Sequence, residues 1–261
     1  AAALKLSPIP ANAGTAIFTV RDPAAAVELL AMVRDAVGEG VSAFELIHRQ
    51  GLDFLAEKLP ELRQPFDPRP EWCVLIELGL GKGQDAEDAL ADLFGHAMEA
   101  ELVQDGVIAQ SEAQRQSLWA VREHIPEANR LIGSVSSHDI SVPISRIPEF
   151  IPAGWKAISE LDSSLRINCF GHLGDGNLHY NVFPGAGRSR AEYEASRGEV
   201  KRIIHDLVYD YGGSMSAEHG IGRMKVGDLE RYGDPVKLAA MRAIKQALDP
   251  HGIMNPGAVM R

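Results

Sequence analysis

The sequence has few cysteines and no long apolar run. Only two cysteines occur among its 261 residues, Cys73 and Cys169, and no CxxC spacing is present. Both lie in apolar, strand-like stretches, so we expect buried, unreactive thiols. This sparse use of cysteine favours a reducing, cytoplasmic compartment, with peripheral attachment to a membrane left open.

Further absences narrow the function. No apolar stretch reaches the roughly 20 residues of a membrane span, and residues 1–8 lack the basic start and apolar core of a signal peptide. The net charge of −10 argues against a nucleic-acid-binding surface. No Gly-x-Gly-x-x-Gly fingerprint or P-loop follows a predicted strand, and residues 79–83 lack the Walker spacing. A redox cofactor could therefore not be held here by a standard phosphate-binding loop.

What is present indicates a mixed α+β fold. The composition, 45% hydrophobic and 24% charged, is ordinary for a globular protein with a sizeable core. The order strand–helix–strand repeats, which predicts a ferredoxin-like antiparallel sheet with helices on one face. Asp22-Pro23 and Asp234-Pro235 are typical helix starts. Strands are predicted at 14–20, 41–47, 72–80, 106–109, 136–142, 165–173 and 178–183, and helices at 23–37, 51–58, 86–102, 112–132, 147–161, 190–211 and 235–248.

Two histidines bracket a glycine-rich turn in Phe170-Gly-His-Leu-Gly-Asp-Gly-Asn-Leu-His-Tyr-Asn181. The flanking apolar residues predict a hairpin with residues 174–177 as its loop. With a register symmetric about that loop, His172 lies opposite His179, at roughly 5 Å between Cβ atoms. Asn181 shares their face because it is two residues beyond His179. This arrangement suits two imidazoles that converge on one metal ion, and a one-residue slip would break it.

A second charged motif, Ser-Ala-Glu-His-Gly-Ile-Gly, contains Glu218 and His219. Adjacent residues of an extended segment point apart, so both cannot easily bind one ion. Glu218 would complete a His/His/Glu set with an open position, as in catalytic zinc sites. His219 would stay free of metal as a general base near neutral pH.

A simpler interpretation stays open at this point. Histidines in a strand pair are commonly packing or surface residues, and Gly-Asp-Gly-Asn is in any case a good turn. Spacing alone does not decide between a metal site and this alternative. His138 and His205 are expected to be structural or surface residues, with His205 solvated on an amphipathic helix.

The motifs resemble those of a known family. Gly171-His-Leu-Gly-Asp-Gly-Asn-Leu-His179 and Ser216-Ala-Glu-His-Gly-Ile-Gly222 are similar to the signatures of FAD-linked D-2-hydroxyacid dehydrogenases of the vanillyl-alcohol-oxidase type. That family includes D-2-hydroxyglutarate and D-lactate dehydrogenases and the glycolate oxidase flavin subunit. Residues 119–124, 138–143 and 248–257 also match, so the resemblance covers essentially the whole chain.

The resemblance implies a division of the protein. Residues 1–211 would form the cap, or substrate, domain of an FAD-linked oxidase, and residues 212–261 a helical segment that returns to the flavin. The family's FAD-binding domain is not in this sequence, so the chain would be a C-terminal portion that is inactive alone. Its partners would be a small 2-hydroxy acid and an electron acceptor, such as an electron-transfer flavoprotein, a quinone or a cytochrome. An apolar sheet face could also support a homodimer.

The resemblance also implies roles for single residues. His172, His179 and Glu218 align with ligands of a divalent metal, usually zinc, and His219 aligns with the proposed base. Arg122 and Asn181 align with groups that hold the substrate. Asn255 would lie near the flavin. From the residues alone, Arg122 would be an exposed helix arginine, and Asn255 part of a turn before Pro256. The implied reaction is oxidation of the 2-hydroxy acid to the 2-oxo acid, with hydride transfer to the flavin.

Departures from the family pattern bear on the substrate. Many relatives have a lysine where this chain has Ser137, and the 2-hydroxyglutarate enzymes have a threonine where it has Pro126. Because a dicarboxylate needs more cations than a monocarboxylate, a D-lactate-like substrate is favoured over D-2-hydroxyglutarate. Two rival functions stay open: a metal-stabilised ferredoxin-like binding module without redox activity, and a metal-dependent hydrolase.

Overall fold

The computed structural model describes residues 2–6 and 9–261. Residues 1, 7 and 8 lie outside the described residues, so the N-terminal stretch judged against a signal peptide is covered only in part. Within the part that is described, no helix combines the length and the apolar character that crossing a membrane requires.

Strands and helices alternate along the described chain, and each label below follows chain order. The strands are β1 (Asn12–Val20), β2 (Val41–His48), β3 (Trp72–Leu80), β4 (Val103–Ile108), β5 (Asp139–Ser141), β6 (Arg166–His172) and β7 (Asn177–Phe183). The α-helices are α1 (Pro23–Val37), α2 (Arg49–Lys58), α3 (Ala86–Glu99), α4 (Glu112–Glu123), α5 (Ile125–Ile132), α6 (Ile147–Leu161), α7 (Arg197–Asp210), α8 (Val226–Tyr232) and α9 (Pro235–Leu248).

All seven strands form one antiparallel sheet in the order β4-β1-β3-β2-β6-β7-β5. The first half of the chain, β1-α1-β2-β3-α3-β4, is a ferredoxin-like unit and supplies the four strands at one side. The hairpin β6–β7 and the short β5 extend the sheet beyond β2. The predicted α+β fold with a ferredoxin-like antiparallel sheet is confirmed, but helices cover both faces of the sheet and not one.

The two faces of the sheet differ in what covers them. The larger core lies on the face covered by α1, α3, α6 and α7, and includes Phe18, Val74 and Phe150. Helices α2, α4 and α5 pack a smaller core on the other face around Ile47 and Leu75. Each fully buried large apolar side chain stabilises the fold by about 1.5–3 kcal/mol. Because side chains alternate along a strand, residues next to core positions in sequence point to the opposite face.

This alternation puts the candidate site on the second face. Phe44 and Leu46 of β2 belong to the larger core, so Glu45 between them points the other way. Tyr180 of β7 is also in the larger core, which directs its neighbours His179 and Asn181 to the second face. Strand periodicity therefore places the polar side chains of Glu45, His179 and Asn181 on the second face.

Several predicted bounds differ from the structure. The helix predicted at 112–132 is two helices, α4 and α5, that meet at His124. The reason is Pro126, which has no amide hydrogen and would clash with the carbonyl four residues earlier in a continuous helix. The helix predicted at 190–211 is a 3-10 turn, Arg190–Tyr193, followed by α7. The strand predicted at 136–142 is reduced to β5 and a single bridge from Ser136 to Val182.

The two cysteines are buried and unpaired, as predicted. Burial raises the pKa of the Cys73 thiol to about 12 and that of Cys169 further. Neither thiol is therefore in the thiolate form that reacts near neutral pH.

Candidate active site

The hairpin β6–β7 carries both histidines, but its register is not the predicted one. Phe170, and not His172, lies opposite His179. The strands separate beyond that pair because residues 173–175 form a 3-10 turn, and His172 pairs with Glu45 of β2 instead. The difference amounts to two residues, so the histidines stay on the same face. Their ring centroids are 5.9 Å apart.

Glu218 joins the two histidines. Its Oε1 lies 3.0 Å from Nε2 of His172. One nitrogen of each histidine and one carboxylate oxygen of Glu218 all lie within 4.8 Å of one another. Two imidazoles and a carboxylate are the donor set of many catalytic zinc sites. The three side chains therefore fit a divalent cation such as zinc by their chemistry and their mutual spacing.

Glu45, which the sequence reasoning did not single out, orients His172. Its Oε1 accepts a hydrogen bond from Nδ1 of His172 at 2.5 Å. This bond leaves Nε2 of His172 to face Glu218, an arrangement in which a carboxylate fixes the ligand tautomer. Burial acts to raise the pKa of Glu45, but the bond to His172 and the charge of Arg122 outweigh it, so that pKa lies below its ordinary value.

Arg122 is the other partner of this buried carboxylate. Its Nε donates to Oε2 of Glu45 at 2.8 Å, and its guanidinium lies over the ring of Phe170 at 4.8 Å. Only 7% of the residue is exposed, so it is not the exposed helix arginine of the alternative interpretation. Burial first, and then the charge of Arg122, lower the pKa of His179. A lowered pKa favours the neutral imidazole that binds metals.

Asp139 holds the segment that carries Glu218 and His219. Its Oδ2 accepts from the backbone amides of both residues at 2.9 Å, and its Oδ1 accepts from the Asn177 side chain at 2.9 Å. Asp139 is also the strand partner of His179, so it ties the segment to the hairpin. Residues 138–143 resemble a family motif, and that signal could have identified this aspartate.

The candidate base, His219, borders a cavity beside the three candidate metal ligands. The His219 side chain is 70% exposed, with Nδ1 3.7 Å from Oδ2 of Asp139. It lines a cavity of about 490 Å³ together with His179 and Asn181. Oδ1 of Asn181 accepts from the backbone amide of His138 at 2.9 Å, which fixes the amide group at the wall.

Asn255 is not brought to this cavity. It lies in the exposed segment after α9, where Oδ1 accepts from a guanidinium nitrogen of Arg223 at 3.4 Å. Its backbone has a φ of 46°, which is uncommon for a residue other than glycine. The structure therefore gathers the other six predicted site residues on one face of the sheet and leaves Asn255 apart.

The expectation that His205 is solvated is wrong. Only 2% of His205 and 1% of His138 are exposed, and their rings pack edge to face at 5.2 Å. Burial is the main cause that lowers the pKa of His205 to about 4. Helix α7 buries this face, where Nδ1 of His205 lies 3.4 Å from Oδ1 of Asp228.

The sequence is similar to proteins of one family. Residues 9–259 match the family described as FAD linked oxidases, C-terminal domain. The chain is 34% identical over 247 residues to a protein of Arabidopsis thaliana named "D-2-hydroxyglutarate dehydrogenase, mitochondrial", which covers 94% of this chain and 42% of that protein. It is 32% identical over 258 residues to "D-2-hydroxyglutarate dehydrogenase" of Stutzerimonas stutzeri, which covers 99% of this chain and 54% of that protein. The chain thus spans about half the length of these relatives.

Solved structures show the same fold at low sequence identity. A structure of p-cresol methylhydroxylase with substrate bound aligns with a TM-score of 0.67 and 13% identity, over 97% of this chain and 53% of that one. A 4-ethylphenol oxidase from Gulosibacter chungangensis aligns with a TM-score of 0.59 and 14% identity, over 98% of this chain and 55% of that one. At this identity the likeness establishes the fold alone.

Proposed function

Because the chain belongs to the family of FAD-linked oxidase C-terminal domains, we propose that it forms the substrate side of an FAD-linked D-2-hydroxyacid dehydrogenase. The reaction is the oxidation of a D-2-hydroxy acid to the 2-oxo acid. The observation that carries this proposal is the convergence of His172, His179 and Glu218 within 4.8 Å. His219, which is not part of this set, lines a cavity directly beside them.

The division of the protein follows from the same proposal. Residues 1–211 form the cap domain over the substrate, and residues 212–261 extend toward the flavin of a domain outside this chain. Asn255 is the residue by which this segment would contact the flavin. FAD, when bound, supplies the two-electron acceptor for the reaction.

His172, His179 and Glu218 would hold a divalent cation, with zinc preferred for a two-histidine, one-carboxylate set. Such a cation acts as a Lewis acid on the substrate's oxygen atoms and lowers the pKa of its hydroxyl group. The hydrogen bond that Nδ1 of His172 donates to Glu45 keeps His172 in the orientation that this role requires.

The remaining side chains act on the substrate directly. Nε of Arg122 is engaged by Glu45, and its terminal nitrogens are the donors for the substrate's carboxylate, where a planar fork binds better than an ammonium group. Asn181 contributes a neutral polar group at the cavity wall. His219 accepts the hydroxyl proton, with the carboxylate of Asp139 near its Nδ1.

The substrate's far end separates two candidates. Ser137 and Pro126 favour a D-lactate-like monocarboxylate because Ser137 supplies no cation and Pro126 no side-chain hydrogen-bond donor. D-2-hydroxyglutarate is the other candidate, and it is supported by the names of the similar proteins and by the cationic residues in the cavity wall. We also propose that the electron acceptor is an electron-transfer flavoprotein, a quinone or a cytochrome. The protein would form a homodimer and act in the cytoplasm.

A dye-linked assay tests the proposal. The full-length flavoprotein is offered a panel of D- and L-2-hydroxy acids with an artificial electron acceptor, before and after removal of metal by a chelator. We expect turnover with D-acids, loss of activity on chelation and recovery with Zn²⁺. Turnover of ester or amide substrates without flavin would favour a hydrolase, and absence of any turnover would favour a binding module.

A further inference from the structure

The cavity beside His179 and His219 carries more positive charge than its walls neutralise. Three cationic residues line it: Arg130, Arg190 and Lys225. The only carboxylate in the described cavity wall is Asp139, whose oxygens already accept three hydrogen bonds and lie close to His219. An excess of cations around an open cavity attracts an anionic ligand.

The three cations differ in how much of their charge is already engaged. Arg130 donates two hydrogen bonds to Glu127, at 2.9 and 2.6 Å. Lys225 donates to the backbone oxygen of Met215 at 2.8 Å and is half-buried. In the described part of the chain, the side chain of Arg190 has neither an ion pair nor a hydrogen bond. Arg190 is therefore the cation of this cavity that is free to bind a ligand with its whole guanidinium group.

Arg190 is held at the cavity rim by an anchored turn. It is the first residue of the 3-10 turn Arg190–Tyr193. Before it, the backbone amide of Ser189 donates to Glu192 at 2.7 Å. At the other end of the turn, the buried hydroxyl of Tyr193 accepts from the amide of Gly185 at 3.3 Å. The backbone that carries the free guanidinium is thus fixed on both sides.

Arg188, two residues earlier in the same loop, is an arginine whose charge is neutralised by an ion pair. Its Nε lies 2.9 Å from Glu192, and its guanidinium lies over the ring of Tyr193 at 4.7 Å. It does not line the cavity. The two residues have the same chemistry and similar exposure, so Arg188 is a matched control for Arg190.

We propose that Arg190 binds a second anionic group of the substrate, a carboxylate remote from the oxidised carbon. This inference rests on the proposed function, in which Arg122 and the three candidate metal ligands bind the first carboxylate and the hydroxyl group. The planar fork of an arginine matches a carboxylate with two parallel hydrogen bonds. Ser134 and Ser137, whose hydroxyls are 2.7 Å apart, line the same cavity and can add neutral donors. Arg190 would then take the place of the lysine that Ser137 does not supply, and the substrate class is a D-2-hydroxy dicarboxylate.

A pair of substrates that differ only in the distal carboxylate tests its contribution to binding. D-2-hydroxyglutarate and D-2-hydroxyvalerate have the same five-carbon chain, and only the first has an anionic end. We expect the full-length flavoprotein to prefer D-2-hydroxyglutarate in kcat/KM. Arg190→Gln should raise KM for D-2-hydroxyglutarate by about tenfold, since a charged hydrogen bond at an exposed position is lost. Values for D-2-hydroxyvalerate should not change, Arg190→Lys should restore part of the loss, and Arg188→Gln should resemble the unchanged protein.

The outcomes separate this inference from the proposed function. If the flavoprotein oxidises D-lactate and D-2-hydroxyvalerate but not D-2-hydroxyglutarate, the proposed function holds and the role of Arg190 is refuted. Equal losses for both five-carbon substrates in Arg190→Gln, or equal losses in Arg188→Gln and Arg190→Gln, would also overturn it. If no D-2-hydroxy acid is oxidised, the proposed function itself fails and the inference fails with it.

Discussion

Helices α1 and α9 begin with the same capping signal, but α1 is packed against the sheet and α9 is largely exposed. Both start at an Asp-Pro pair whose aspartate caps the helix, and they are 15 and 14 residues long. Helix α1 buries six residues against the sheet, among them Leu29 and Leu30, whereas α9 buries only Leu238. Capping decides where a helix begins, but burial depends on the surface available to cover it.

The contrast extends to the segments around the two helices. In the sheet and its helices, Glu45 and Arg122 are buried and the candidate ligands His172 and His179 are half-buried. After Glu218, large apolar side chains are exposed, including Met224 at 91%, Leu248 at 73% and Ile253 at 78%. Exposed apolar groups in such numbers are typical of a surface that binds another domain. The candidate site therefore combines a pre-built part in the sheet with a part that we expect to be completed by the flavin domain.

The largest predicted effect is at the pre-built part of the site. His179→Ala removes one of three ligand-type side chains, so we expect metal content to fall and dye-linked turnover to drop to background. Metal content is measured by elemental analysis of the purified flavoprotein. Full metal occupancy with normal turnover would refute the assignment of His172, His179 and Glu218 to a metal site.

His219→Ala should separate the base from the ligands. A general base typically contributes about 10²–10⁴-fold in rate, so turnover should fall by about that factor. Metal content should stay at the level of the unchanged protein because His219 is not assigned as a ligand. A variant that loses its metal along with its activity would show that the division of roles between Glu218 and His219 is incorrect.

Glu45→Gln tests how the sheet holds the site together. The change leaves the buried Arg122 without its carboxylate, and breaking such a pair lowers the free energy of unfolding by about 3 kcal/mol. The native pKa of Glu45 is lowered, so its stabilisation is present above its ordinary value of 4.5 and is lost as pH falls through the lowered value. Urea unfolding of the metal-free protein should thus show a smaller difference at acidic pH than at pH about 7. Glu39→Gln, at an exposed position, serves as the control.

The smallest effect is expected in the exposed segment, and it sharpens the contrast between the helices. In the 261-residue chain, Leu29→Ala of α1 should lower the free energy of unfolding by about 2–5 kcal/mol. Leu248→Ser of α9 should change it by less than about 0.5 kcal/mol, as at other exposed positions. In the full-length flavoprotein, Leu248→Ser should become destabilising. No added loss there would mean that the exposed face of α9 does not contact the flavin domain.

Local signals in the sequence predicted much of this structure. The bounds of α1, α6, α9 and β3 agree with prediction because caps, prolines and apolar periodicity are local properties. The sequence also suggested His172, His179 and Glu218 as one set, through an assumed hairpin register and the family resemblance. The register of the hairpin was not, since the 3-10 turn at 173–175 shortens the pairing by an amount that residue types do not reveal.

Contacts between distant parts of the chain were out of reach of such reasoning. Glu45 is 127 residues from His172, and it lies between apolar residues in a strand that otherwise supplies the core. Nothing in its neighbourhood indicates that two strands will bring it beside a histidine. Arg122 has the same difficulty, because its helix has a polar sequence and only the fold shows that this side chain is buried.

Anaerobic reduction of the flavin tests the central claim most directly. The full-length flavoprotein is mixed with a D-2-hydroxy acid without any acceptor, and flavin absorbance near 450 nm is followed in the metal-loaded and the chelated protein. We expect rapid bleaching by the D-acid in the metal-loaded protein, little bleaching after chelation, and recovery with Zn²⁺. Bleaching at the same rate in both forms, or in neither, would contradict a metal-dependent oxidation at His172, His179 and Glu218.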